Sequence, residues 1–273
     1  MLIDTDGDGS PDIAYAGDLL GHVWKFDISA EKPAKWHVAL NGQPLFTALG
    51  PDGTHQAITT APIWLPHPKG GVMLGIGTGR ALTTEDRADA SPQTLYGLHD
   101  SSARGKSLPI NSPDDAQRPA ELQARAILPQ ALEHAGRSYF RSAAAAQQPE
   151  YPRGWYLDLP ARGERLLHTP QHLAGQKAIF PSSAPEGEFL TVLDLLTGEP
   201  SGGSVFTTVS DPARPEPEGA PDRTVSRVAL GSSRITALHR LDSLVLRSDD
   251  GRPPLVLQKR RGAGLRAGWR QRP

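Results

Sequence analysis

The chain has 273 residues, with 29 basic and 30 acidic side chains, a formal net charge of −1 and no cysteine. That balance gives no field to draw nucleic acid or an anionic membrane, and the missing thiols exclude disulfides, thiolate metal sites and cysteine nucleophiles. No stretch reaches the roughly 18 apolar residues of a membrane span, and the opening Met-Leu-Ile-Asp lacks the basic and apolar regions of an export signal.

The first feature in chain order is Asp4-Thr5-Asp6-Gly7-Asp8-Gly9-Ser10-Pro11-Asp12. Carboxylates stand at loop positions one, three, five and nine, with glycines that let the backbone curl around a centre. Calcium takes six to eight oxygens at about 2.3–2.6 Å, and short acidic side chains in alternation converge that many. The pattern assigns Asp4, Asp6, Asp8 and Asp12 as side-chain ligands of Ca2+ and Ser10 as a carbonyl ligand, with water completing the shell. Magnesium fits less well because it demands a smaller, more rigid octahedron. The loop departs from an EF-hand: position twelve is Tyr15, and strand-like residues follow where a helix would begin. Without a cation the four carboxylates repel one another, so the loop is expected to order only when a divalent ion neutralises them. The bland alternative is a solvated acidic turn.

Next come four alternating apolar and aromatic runs that end in Asp: residues 23–27 (VWKFD), 94–100 (TLYGLHD), 154–158 (GWYLD) and 190–194 (LTVLD). Period two predicts strands, and a terminal Asp can accept amides of the following turn. Three have a strand candidate before them, at residues 13–16, 71–76 and 176–180, the last ending at a turn expected at Pro181. The unit is therefore strand, Gly- or Pro-rich turn, strand, repeated at uneven intervals. This predicts an all-β fold, a β-propeller with uneven blades, with an ordinary antiparallel sandwich as the alternative. Residues 101–150 depart from the pattern, because residues 120–128 and the alanines at 143–146 favour helix or irregular coil, and they are expected as an insertion. Residues 1–210 would form the propeller domain. The prolines in 211–224 predict a solvated linker, and 225–273 degenerate last strands with a basic tail.

Other candidate motifs carry less. Gly75-Ile76-Gly77-Thr78-Gly79-Arg80 lacks both the Walker spacing and the helix-opening context of a dinucleotide site, and reads as a tight turn. His55, His67, His99, His134, His168 and His172 form no metal-ligand motif, and Pro170 forbids the helix that would align His168 with His172. No nucleophile elbow or kinase set appears, so no catalytic residue and no enzyme activity is predicted.

The acidic loop, followed by residues 15–27 (YAGDLLGHVWKFD), resembles the C-terminal β-propeller domain of the PilC/PilY family, the type IV pilus tip-associated adhesins and biogenesis factors. The resemblance continues through residues 58–62 (ITTAP), 75–82 (GIGTGRAL), 93–100 (QTLYGLHD), 154–159 (GWYLDL) and 189–198, and so covers most of residues 1–206. It implies quinoprotein-like blades, calcium held by Asp4, Asp6, Asp8, Ser10 and Asp12, and metal occupancy that regulates pilus extension, retraction and surface attachment. It also implies pilus components such as minor pilins as partners, host or surface ligands bound through an N-terminal region, and a place at the cell surface or pilus tip, the outer membrane or the periplasm. Against the family pattern, residues 181–188 (PSSAPEGE) lack a cysteine and a glycine-rich approach, and 268–271 (GWRQ) only faintly echo a closing Ser-Trp-Arg-Glu. The propeller is therefore expected to be incomplete, the C-terminal part of a longer protein. The blade-like runs also resemble quinone-cofactor dehydrogenases, the alternative function, and a purely structural calcium-binding repeat is the third reading.

Overall fold

The computed structural model describes residues 1–101, 108–110, 117–134, 136–144, 152–173, 175–200, 206–208, 225–231, 235–240, 244–248 and 255–257. The expected linker at 211–224 and the basic tail beyond 257 lie outside them. Among the described residues the regular elements are almost all strands, with one short helix, Thr84–Ala88, and two 3-10 turns. The four Asp-terminated runs are strands that end on that Asp: His22–Asp27, Thr94–Asp100, Gly154–Asp158 and Gly187–Asp194. The strands before three of them are Ile13–Gly17, Val72–Gly77 and Lys177–Ala184.

The described strands form three sheets. The first is built on Leu2–Ile3, Ile13–Gly17 and His22–Asp27, antiparallel, with Ile3 opposite Ile13. The second has ten strands and contains two antiparallel meanders of four. One runs Ile63–Pro66, Val72–Gly77, Thr94–Asp100, Gly154–Asp158, and the other Gln171–His172, Lys177–Ala184, Gly187–Asp194, Val225–Gly231. The third pairs Phe206–Thr208, Leu255–Leu257, Leu244–Ser248 and Ile235–Arg240. Four-stranded meanders following one another along the chain are the blade-like units the sequence predicts.

The expected helical or irregular insertion is corrected by a hairpin. Leu122–His134 and Arg137–Ala144 are antiparallel strands, the first also pairing in parallel with Gly154–Asp158 and the second with Val225–Gly231. The hairpin thus joins the two meanders into one sheet. Helix propensity is a weak prior that tertiary pairing overrides, and Pro129 would break a helix there. Pro129 instead lies at the register shift between the Phe140–Ala131 and Ser142–Ile127 pairs, where the ladder is interrupted and a missing N–H costs little. The turn expected at Pro181 falls later: Pro181 pairs with Leu190 inside its strand, and the two-residue turn is Pro185-Glu186, between paired Ala184 and Gly187.

Apolar packing ties these sheets together. One cluster joins Ile3, Ile13, Tyr15 and Val23 of the first sheet to Leu74, Ile76 and Tyr96 of the second. Another joins Met73, Leu95 and Trp155 of one meander to Phe180 and Leu193 of the next. Trp155 donates from Nε1 to the Leu195 carbonyl at 2.8 Å. Gly97 lets it lie flat, since a β-carbon there would come within 2.2 Å of Nε1. The Gly75–Arg80 run works in the same way. Gly77 ends a buried strand against the Leu166 side chain, which a β-carbon would meet at 2.3 Å, so packing accounts for its glycine without any phosphate.

Two closing aspartates behave as expected: Asp27 accepts the Ser29 amide and Asp194 the amides of Leu196 and Thr197. The other two join long-range polar networks, one buried and one partly exposed. Asp100, wholly buried, accepts Lys25 Nζ at 2.7 Å and the Tyr15 hydroxyl at 2.6 Å across the first two sheets. Asp158 takes both terminal nitrogens of Arg118 at 2.9 and 2.6 Å. A third pair, Glu164 and Arg227, is buried against Phe189 between the segment before Gln171–His172 and the strand Val225–Gly231.

Candidate metal site

The acidic loop is the excursion between Leu2–Ile3 and Ile13–Gly17 in the first sheet. Its base is fixed by apolar burial: Ile3 and Ile13 are 2% and 3% exposed. The Asp12 amide donates to the Ile3 carbonyl at 2.8 Å, and the Ile28 amide donates to the Asp12 carbonyl at 2.8 Å. Above this base the chain turns tightly, with Gly7 and Gly9 at φ of 79° and 94°, a left-handed conformation that side-chain-bearing residues resist. A β-carbon at either would meet nothing within 4 Å, so these glycines serve backbone conformation, not space.

The loop is wound on its own aspartates. Asp4 accepts the Gly7 amide on one oxygen at 2.7 Å and the Gly9 amide on the other at 2.9 Å. Asp6 accepts the Asp8 amide at 3.2 Å, and Asp8 accepts the Ser10 amide at 2.7 Å. The amides of Gly9 and Gly7 hold the Asp4 carboxyl below the usual carboxylate range, against a smaller opposing push from desolvation and, least of all, from the Asp12 charge. These bonds curl the backbone so that one carboxylate oxygen each from Asp4, Asp6 and Asp8 lies within 4.8 Å of the others, all three residues exposed. Three hard anionic oxygens converging at a solvent-open point suit a divalent cation such as calcium, and each oxygen has a second lone pair beyond the one its amide uses.

Asp12 and Ser10 are placed differently. Asp12 is 6% exposed, and its Oδ2 accepts both the Thr5 amide, at 2.8 Å, and the Thr5 hydroxyl. It stands outside the converging triad and staples the two ends of the loop. Ser10 is exposed, with its amide spent on Asp8. The sequence pattern alone does not show the role of Thr5. Its signal, a hydroxyl residue directly after the first Asp and facing the last one, is visible only once the loop closes.

The sequence profile of the PilY1 beta-propeller domain family matches residues 1–144. The chain belongs to this family. It is 33% identical over 233 residues to a type IV pilus biogenesis factor PilY1 homolog of Xylella fastidiosa, a match covering 78% of the chain and 15% of that relative. It is 34% identical over 195 residues to the type IV pilus biogenesis factor PilY1 of Pseudomonas aeruginosa, covering 59% of the chain and 16% of the relative. The chain thus spans about a sixth of the length of these relatives. The crystal structure of the Pseudomonas aeruginosa PilY1 C-terminal domain superposes with a TM-score of 0.69 at 27% identity, over 94% of the chain and 59% of that domain. The propeller fold expected from the repeated units therefore holds, and the relatives are pilus biogenesis factors. Among the described residues, no helix is long and apolar enough to cross a membrane.

Proposed function

We propose that this PilY1-type propeller domain binds one Ca2+ ion in the loop from Asp4 to Asp12, and that occupancy regulates extension, retraction and surface attachment of type IV pili. The observation that carries this reading is the convergence of Asp4, Asp6 and Asp8 oxygens within 4.8 Å in a chain of this family. In the proposed site those three carboxylates and the Ser10 carbonyl face the ion. Asp12, oriented by Thr5, supplies the ligand at the loop base. Calcium would offset the repulsion among the carboxylates and lock the excursion onto the strand Ile13–Gly17, whose Tyr15 hydroxyl reaches Asp100 in the second sheet. The ion would therefore stiffen the junction between the first two sheets.

The domain acts in this reading as a non-catalytic regulatory module. It works at the cell surface or pilus tip, with pilus components such as minor pilins as partners and with surface ligands engaged by other regions of a full-length protein. The test is Asp8→Ala in the full-length parent, scored for piliation and twitching in calcium-replete medium. Altered pilus extension or retraction is expected. Unchanged pilus behaviour, with calcium binding abolished, would reduce the ion to a structural part.

A further inference from the structure

We propose a second metal site, for a borderline divalent transition ion such as Zn2+ or Cu2+, held by the Nε2 atoms of His22 and His55. The two histidines are 33 positions apart in the sequence and belong to no motif there. The fold brings them together. The tight turn before His22–Asp27 lies against the segment 48–56. The Ala48 amide donates to the Gly21 carbonyl at 2.8 Å, and the Gln56 amide to the Ala48 carbonyl at 3.0 Å. Gly21 allows this approach, since a β-carbon there would lie 2.7 Å from the Gln56 carbonyl oxygen. The two rings end 6.0 Å apart, centre to centre, at 87°.

What distinguishes the pair from two surface histidines is how each ring is held. His22 Nδ1 is 2.9 Å from Asp18 Oδ2, and His55 Nδ1 is 2.8 Å from the Leu20 carbonyl oxygen. A carboxylate and a carbonyl only accept, so in both rings Nδ1 carries the proton and the neutral ring keeps its lone pair on Nε2. An Nδ1–H tied to a carboxylate or backbone carbonyl is the arrangement that orients metal-ligating imidazoles and raises their basicity. Asp18 is itself rigid. Its Oδ1 accepts the amides of Leu20 and His22, both at 2.9 Å, and its Oδ2 also accepts Trp24 Nε1 at 2.8 Å. It is thus a positioning residue, with its lone pairs already directed to protein donors. Two imidazoles on a tetrahedral ion at about 2.0–2.1 Å have ring centres roughly 5 Å apart, against the 6.0 Å seen here, and movement of the exposed His55 ring towards the half-buried, tethered His22 would close the difference. Water would fill the remaining positions.

The chain contains its own control. His67 and His99 are also adjacent, but they stack nearly parallel, at 3.7 Å and 25°. There His67 Nδ1 accepts the Lys69 amide at 3.1 Å, which leaves its proton on Nε2. His99 Nε2 donates to the Gly70 carbonyl at 2.8 Å, so in that pair neither Nε2 keeps a free lone pair.

The experiment is Zn2+ titration calorimetry on the full chain in excess Ca2+, together with paramagnetic resonance of the Cu2+ form. One-site Zn2+ binding is expected, weakened at least tenfold by His22→Asn and by His55→Asn, and about tenfold by Asp18→Asn. His67→Asn and Asp8→Ala should leave it unchanged, which separates this site from the acidic loop. The Cu2+ spectrum of the unaltered chain should show two nitrogen ligands, and that of each single histidine variant one, a count that does not depend on the stability of the variants. Absence of Zn2+ binding by the folded chain would overturn the proposal. So would affinity that survives both histidine changes, or that is lost with His67→Asn or Asp8→Ala.

Discussion

Replacing Glu164 by Gln removes one charge from the best-buried ion pair among the described residues. Arg227 donates NH1 to Oε1 at 2.7 Å and NH2 to Oε2 at 2.8 Å, a two-pronged geometry, and the side chains are 1% and 0% exposed. The Ser182 hydroxyl and the Ala161 amide complete the carboxylate shell, and the guanidinium lies 3.9 Å over the Phe189 ring. An amide of the same shape can accept on one atom only, and the guanidinium stays where water cannot reach it. Breaking a buried pair from one side costs about 3–5 kcal/mol, a large share of the roughly 5–15 kcal/mol that holds a domain folded. At roughly 2–4 °C per kcal/mol for a chain of this size, Glu164→Gln should lower the melting temperature by about 10 °C. Urea unfolding should show the loss as a shifted midpoint at constant slope. The double change Glu164→Leu with Arg227→Met removes both charges and should cost clearly less than the two single changes added together. A single-variant loss below about 1 kcal/mol, or additive losses in the cycle, would refute the claim that this pair is buried and coupled.

Three further outcomes follow from local geometry. Gly17→Ala would place a β-carbon 2.2 Å from Ile58 Cγ2, where the first sheet meets the segment leading into the second, and should cost about 1–3 kcal/mol in urea unfolding; an unchanged midpoint would contradict that packing. Gly7→Ala meets no neighbour but must hold φ near 79°, so it should weaken calcium binding roughly fivefold, about 1 kcal/mol, with little change in the melt without calcium. At high pH, burial pushes the Tyr96 hydroxyl up to about 12, and burial together with Asp100 raises Tyr15 further. Because both ionise later in the folded chain than the usual value of about 10, their stabilising effect is complete below pH 10 and is lost as pH rises towards 12. Denaturation midpoints measured between pH 9 and 12 should fall over that interval, and Tyr96→Phe should flatten the fall.

Much of the fold was legible because its strands carry a plain period of two and an Asp at their ends, so runs such as residues 94–100 and 154–158 could be bounded to within a residue. The acidic loop was equally plain, since its chemistry is local: nine consecutive residues supply the carboxylates and the glycines that bring three of them together. The hairpin Leu122–His134 with Arg137–Ala144 was not legible, because its alanines and leucines favour helix locally and its strand character comes from partners on both sides. Long-range ion pairs were hidden for the same reason. Nothing near Glu164 in the sequence points to Arg227, 63 positions away. An Asp at a strand end predicts a turn-closer, which describes Asp27 and Asp194, while Asp100 and Asp158 are spent on Lys25, Tyr15 and Arg118. Spacing alone groups Asp12 with the other loop carboxylates. In the folded chain its burial and the Thr5 contact give it a second task at the loop base.

The central claim is that the loop from Asp4 to Asp12 is a calcium site, and titration calorimetry of Ca2+ into the chelator-treated chain tests it most directly, run beside Asp8→Ala and with melts to show that both are folded. Saturable binding of one ion, absent in Asp8→Ala and accompanied by a calcium-dependent rise in melting temperature, is the predicted result. A folded chain that takes up no calcium, or that binds it equally well with Asp8 replaced, would contradict the account.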